Sequence, residues 1–182
     1  MAKIVSKVYG DALFELALEK QSVTALYEEA EALRKIFRDN GELMQLLTHP
    51  KISKEEKEAA VKAIFDGRVS DDMAGFLVLV VDKGRADELD AVLGYFLSVV
   101  KEYKKIGVVD VASAVELTDA QKEKLCEKLL ATTDYAALEV NYRVDAALIG
   151  GLVVRIGDRV VDSSIRTKLS QMEKQLQRIQ LS

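Results

Sequence analysis

The sequence predicts a mainly α protein: an antiparallel six-helix bundle over residues 1–105, then a small α+β domain over residues 106–182. Three observations carry this. Before Gly107, apolar residues recur at helical spacing almost throughout. After it, β-branched runs appear, two of them joined by a Gly-Asp pair. The helical stretches are separated by short glycine, proline and capping signals, which leave room only for tight connections between antiparallel neighbours.

The first helix sets Ile4, Val5, Val8, Tyr9, Ala12, Leu13, Leu16 and Ala17 at i, i+3/i+4 spacing. The second runs from about Ser22 to Arg38, with Leu26, Ala30, Leu33 and Phe37 inward, and "DNG" at 39–41 ends it. A short third helix, "ELMQLL", stops before "THP", because Pro50 disfavours helical backbone at His49. Ser53 and Glu56 form a capping box that opens a fourth helix, which continues to Phe65. "DGR" at 66–68 breaks the chain, and Ser70 caps a fifth helix, "DDMAGFLVLVVDK", with aspartates at its positive end. Gly84 closes it, and a sixth helix runs from about Ala86 to Tyr103.

The second part opens with a strand in "GVVDVASAVEL". "TDAQ" at 118–121 then caps a helix that reaches about Ala131. "ALEVNYRV" alternates as a half-buried strand does, and "GLVVRIGDRVVD" reads as a hairpin turning at Gly157-Asp158. A last helix runs from about Ser164 to Ile179, so the order is β-α-β-β-β-α.

Composition excludes several function classes. The net charge is −4, so no overall basic field points to nucleic acid. No apolar run, that of Ala74 to Val81 included, approaches the roughly 20 residues of a membrane-spanning helix. The N-terminus has no signal-peptide or presequence character, and the single Cys126, a partly buried thiol in a helical pattern, fits a reducing cytoplasm. His49, the one histidine, reads as a turn residue. Asp158 and Asp162 read as a turn residue and a helix cap.

Gly150 and Gly151 raise the question of a phosphate loop. A strand follows them where an anion site needs a helix N-terminus, and their spacing matches neither GxGxxG nor GxxxxGK[ST]. Gly157 is explained by the hairpin, and the pair by a bulge or close backbone approach at a sheet edge. No residue is assigned a catalytic, cofactor-binding or metal-binding role.

Two features exceed what packing a small domain requires. The fifth helix is apolar all round, and Phe14 and Leu18 on the first helix lie off its main stripe. This fits either a core role or a groove between the two helices for an amphipathic peptide. In the last helix, Ile165, Leu169, Met172, Leu176 and Ile179 follow a 4-3-4-3 spacing. Six basic and three acidic residues lie between Arg155 and Ser182, in a chain that is acidic elsewhere. That seam either packs on its own sheet or docks on a helix of another protein.

The sequence resembles, end to end, the delta subunit of bacterial F-type ATP synthase, a family related to the mitochondrial oligomycin-sensitivity-conferring protein. "VYGDALFELA" is similar to the family's Tyr-Ala-x-Ala-Leu-Phe-x-Leu-Ala pattern, with Gly10 in place of Ala. "LLTHPKISKEEKEAAVKAIF" and "FLVLVVDKGRADEL" resemble its internal segments. "VDAALIGGLVVRIGDRVVDSSIRTKL" resembles its Asp-Pro-x-Leu-Ile-Gly-Gly … Gly-Asp … Asp-Gly-Ser signature, with Ala146 for Pro and Ser163 for Gly.

The resemblance implies a non-catalytic clamp in the peripheral stalk, at the cytoplasmic face of the bacterial cell membrane and touching the membrane only through the complex. Its N-terminal bundle would hold N-terminal segments of the alpha subunits, and its C-terminal part the end of the b-type stalk. Carried to this chain, the peptide groove would involve Tyr9, Leu13 and Leu16 with Phe76, Leu77 and Val80. The stalk surface would involve Ile165, Leu169, Met172, Lys174, Leu176, Arg178 and Ile179, with Arg166 and Lys168 adding positive charge. The residues alone leave two other classes open: a generic helical peptide-binding adaptor outside any ATP synthase, and an enzyme built on the C-terminal unit.

Overall fold

The computed structural model describes residues 2–180, and the side chains of residues 4–176. The chain is mainly helical, with eight α-helices among the described residues and a four-stranded sheet in its C-terminal part. It divides into two compact units, Met1–Lys101 and Glu102–Ser182.

The first unit contains α1 (Ala2–Glu19), α2 (Val23–Asp39), α3 (Gly41–Thr48), α4 (Lys54–Phe65), α5 (Asp71–Asp82) and α6 (Leu89–Tyr103). Local chemistry sets most of their ends. The Ser53 hydroxyl accepts the Glu56 N–H at 3.2 Å, and the Glu56 carboxylate accepts the Ser53 N–H at 3.1 Å, which satisfies two donors at the start of α4. His49 is extended before Pro50, and its Nδ1 accepts the Lys51 N–H at 3.2 Å, a turn role. Ser70 caps α5 by accepting the Met73 N–H, while Glu29 of α2 accepts both the Ser70 N–H and its hydroxyl. The expected start of the sixth helix is a 3-10 turn, Ala86–Glu88, which leads into α6.

One continuous core fills this unit, built from Leu26, Ala30, Leu33 and Phe37 of α2, Val61 and Phe65 of α4, Met73, Leu77 and Val80 of α5, and Leu89, Leu93 and Phe96 of α6. Its helix α1 departs from the sequence expectation. The inward face consists of Ser6, Gly10, Leu13 and Ala17, while Ile4, Val8 and Ala12 face solvent. The cause is a close approach to α6. A Cβ on Gly10 would run into the Tyr95 ring and lie 3.3 Å from the Phe96 backbone nitrogen. The Tyr95 hydroxyl donates to Asp11 at 3.0 Å beside this crossing. Around the crossing the inward positions are small because the backbones come close there, and Ile4 and Val8 are left outside.

Arg34 of α2 grips Asp90 of α6 through two parallel hydrogen bonds, Nε to Oδ1 at 2.8 Å and Nη2 to Oδ2 at 3.2 Å. The Arg34 hydrogen bonds hold the Asp90 carboxyl below its ordinary value of 3.8. A carboxyl depressed in the folded state adds stability above its unfolded value, and that stability is lost as pH falls through the folded value. Asp90 is close to half exposed, so solvent screening limits the contribution to about 1 kcal/mol or less. Urea unfolding between about pH 5 and pH 2 should show this loss in the wild type and a shallower slope in Asp90→Asn. Identical slopes would remove the pair from the acid response.

The second unit contains β1 (Ile106–Ser113), α7 (Asp119–Thr132), β2 (Ala137–Val144), β3 (Leu152–Ile156), β4 (Arg159–Asp162) and α8 (Ile165–Gln180). The sheet order is β2-β1-β3-β4. Strands β1 and β2 are parallel, joined by α7 as the crossover, and β1 pairs antiparallel with β3. Val109, Val111 and Val154 form the core, covered by Leu125 and Leu129 of α7. At the start of α7, the Gln121 side chain accepts the Thr118 N–H at 3.0 Å, and the Gln121 N–H donates to the Thr118 carbonyl at 2.9 Å. Strands β3 and β4 form the expected hairpin, with Ile156 opposite Arg159 and Gly157 at φ +54°. The glycine pair does mark a close backbone approach, but not at an edge, since β3 lies inside the sheet.

Candidate functional site

Two surfaces stand out, one in each unit. In the first, the six residues expected to line a groove belong to the same hydrophobic cluster. Leu13, Phe76, Leu77 and Val80 are buried core residues, and Tyr9 and Leu16 pack half-buried against them. The apolar side chains that reach solvent are different ones: Ile4, Val8 and Leu18 on α1, and Leu79 on α5. A Lys20–Asp72 ion pair joins the end of α1 to the start of α5, and the 3-10 turn after α5 also packs on α1. Ile4 and Val8 were expected inside. The signal that would have placed them outside is the opposite small face, Ser6-Gly10-Ala17.

In the second unit the surface is α8. Its first turn is firmly built into the domain. Asp162 accepts the Ser164 N–H at 2.8 Å and the Thr167 hydroxyl at 2.7 Å, and Ser164, first, and Thr167 hold its carboxyl below the usual value. Ser164 is fully buried, its hydroxyl accepts the Thr167 N–H, and the Ile165 N–H donates to the Gly150 carbonyl at 2.9 Å. Gly151 lies at φ +76°, where a Cβ would run into the Ser163 carbonyl group and come within 3.2 Å of the Ser164 Cα. The expected cap role of Asp162 and the close approach at Gly151 therefore serve one joint.

Beyond that joint the seam is open. Ile165, Leu169, Met172 and Leu176 are between 43% and 64% exposed, so the helix does not bury its apolar face on its own sheet. Lys168 and Lys174 are exposed beside it. Arg178 and Ile179 continue the helix, but their side chains lie outside the described residues. A row of four apolar residues without cover, next to basic side chains, can bind a complementary helix.

Little resembles a reaction centre. Among the described residues no group of His, Cys, Asp or Glu could hold a metal ion. Cys126 is half-buried, 3.6 Å from the Tyr142 hydroxyl. The open face of the sheet frames a cavity of about 410 Å³, in which Asp110 accepts a hydrogen bond from Asn141 at 3.1 Å. No helix among the described residues is long and apolar enough to cross a membrane.

Comparison with known proteins is consistent across the whole chain. Residues 5–176 match the profile of the family described as ATP synthase delta (OSCP) subunit. A Lachnoclostridium phytofermentans protein named ATP synthase subunit delta is 56% identical over 181 residues, covering 100% of both chains. A Halalkalibacterium halodurans protein of the same name is 37% identical, covering 94% of each chain. A chain from the Toxoplasma gondii mitochondrial ATP synthase hexamer shares the fold, with a TM-score of 0.72 at 19% identity over 94% of this chain and 96% of that one.

Proposed function

Because the chain belongs to the ATP synthase delta (OSCP) subunit family of non-catalytic subunits, we propose that it is a peripheral-stalk clamp of a proton-translocating F-type ATP synthase. Torque from a proton-driven rotor would turn the catalytic head as a whole unless a static connection held the head to the membrane. An adaptor with one surface for the head and another for the stalk supplies that connection without chemistry of its own. It would sit at the cytoplasmic face of the bacterial membrane and meet the membrane only through the complex.

In this reading α1 to α6 form an antiparallel six-helix bundle, and residues 1–105 act as the head-binding domain. An amphipathic N-terminal segment of an alpha subunit would lie along α1 and α5, touching the solvent-facing Ile4, Val8 and Leu79. Tyr9, Leu13, Leu16, Phe76, Leu77 and Val80 would support it from beneath. Residues 106–182 would hold the end of the b-type stalk helices through α8, with Lys174 and Arg178 adding charge complementarity.

The observation that carries the proposal is the uncovered seam of α8. Its test is the double variant Leu169→Ser with Leu176→Ser, titrated against a soluble C-terminal stalk fragment. Because both residues face solvent, stability should move by no more than about 0.5 kcal/mol, as for most surface changes. Affinity should fall by at least about tenfold, since each buried leucine is worth about 1.5–3 kcal/mol. A stable double variant that binds the fragment as tightly as the wild type would remove α8 from the interface.

A further inference from the structure

Ile149 sits at φ +67° and ψ −39°, close to the strained γ-turn region that β-branched residues avoid. The other non-glycine residues at positive φ among those described are Gln21 and Lys105, both unbranched at Cβ. Strain of this kind persists where surrounding structure enforces it or where function uses it. The enforcement is visible: Leu148 is buried, the Ile149 N–H donates to the Ala146 carbonyl at 3.1 Å, and the next carbonyl, Gly150, is taken by the Ile165 N–H. No burial of its own side chain offsets the strain, because Ile149 is 64% exposed. The fold thus holds a branched apolar side chain out to solvent at a position where glycine would be unstrained.

The backbone around Ile149 adjoins the start of the α8 seam. A Cβ on Gly150 would lie 2.6 Å from Ile165 Cδ1, so the first residue of the seam rests on the backbone next to Ile149. We infer that Ile149 anchors the partner of α8: an amphipathic helix with acidic flanks packs along Ile165, Leu169, Met172 and Leu176 and ends against Ile149. The acidic character follows from Arg166, Lys168 and Lys174 beside the seam, against the single acidic Glu173. The same excess of positive charge disfavours a second copy of this chain as the occupant. The inference rests on the stalk reading above and adds to it a contact outside the helix.

The test compares full-length wild type, Ile149→Gly, Ile149→Asn, Ile149→Val and Leu169→Ser. Each is titrated calorimetrically with a soluble C-terminal fragment of the b-type stalk subunit and melted in parallel. Glycine and asparagine both tolerate positive φ, so both Ile149 variants should melt no lower than the wild type. Both should bind the fragment about tenfold more weakly, while Ile149→Val stays within about twofold of the wild type. A purely structural residue would move stability and affinity together, so their separation is the informative result. If Leu169→Ser weakens binding but the Ile149 variants do not, the anchor is overturned and the stalk reading stands. If the wild type does not bind the fragment, or self-associates through this face, the stalk reading falls and the anchor falls with it.

Discussion

Gly151→Ala is expected to destabilise the C-terminal unit by about 3 kcal/mol. Two effects add at this residue. Positive φ costs an L-residue roughly 1–2 kcal/mol, and the new methyl group would run into the Ser163 carbonyl, a backbone atom that cannot rotate away. Relief requires moving Ser163, but its N–H and hydroxyl both donate to the Leu152 carbonyl, at 2.9 and 2.8 Å. Gly157→Ala is the internal control. It shares the positive φ, but nothing lies within 4 Å of its added Cβ, so its cost should stay near 1 kcal/mol. Native-state hydrogen exchange at β3 and β4 amides reads both. Equal costs for the two variants would mean that the contact with Ser163 is absent and only the dihedral matters.

Val80→Asp should have the larger effect, about 4 kcal/mol, and should unfold the first unit in part or whole. Val80 is fully buried in the core with Leu77 and Met73, so a carboxylate there has neither solvent nor a counter-charge. The substitution reports on folding and cannot serve as a probe of a peptide groove. Val8→Asp is the proper probe, since Val8 is 60% exposed. It should leave the circular dichroism and melting temperature near wild type while weakening binding of an alpha-subunit N-terminal peptide. A Val80→Asp protein with native helix content and stability would show that α5 turns this position to solvent.

Elements governed by neighbours in sequence were legible without the structure. The Ser53–Glu56 box, the extended His49 before Pro50 and the Gly157 hairpin each depend on residues within three positions. The four inward residues of α2 were legible because its opposite face is strongly charged, which leaves one possible orientation. On α1 both faces carry aliphatics. The choice between them is made by the fit of Gly10 against Tyr95, a contact between residues 85 positions apart. On α5, helical spacing identifies apolar positions but not which of them reach water. The α8 seam was legible as a pattern, yet whether it was covered depended on tertiary packing that periodicity does not encode. The left-handed Ile149 had no signal at all, because a β-branched residue is where such a backbone is least expected.

The foothold of α8 on its domain also has a thermodynamic consequence. With its apolar row uncovered past the first turn, the free helix is governed largely by helix–coil statistics, under which a segment of 16 residues is marginal in water. The Asp162–Ser164–Thr167 cluster supplies the nucleus, so propagation can start without the unfavourable first step. Binding a partner would then complete a folding reaction as well as an encounter. Its calorimetric signature would be a negative heat-capacity change from covering the row, together with an entropy loss from ordering the outer turns. Hold on the stalk would weaken on warming as that entropy term grows, with no change in any contact across the interface.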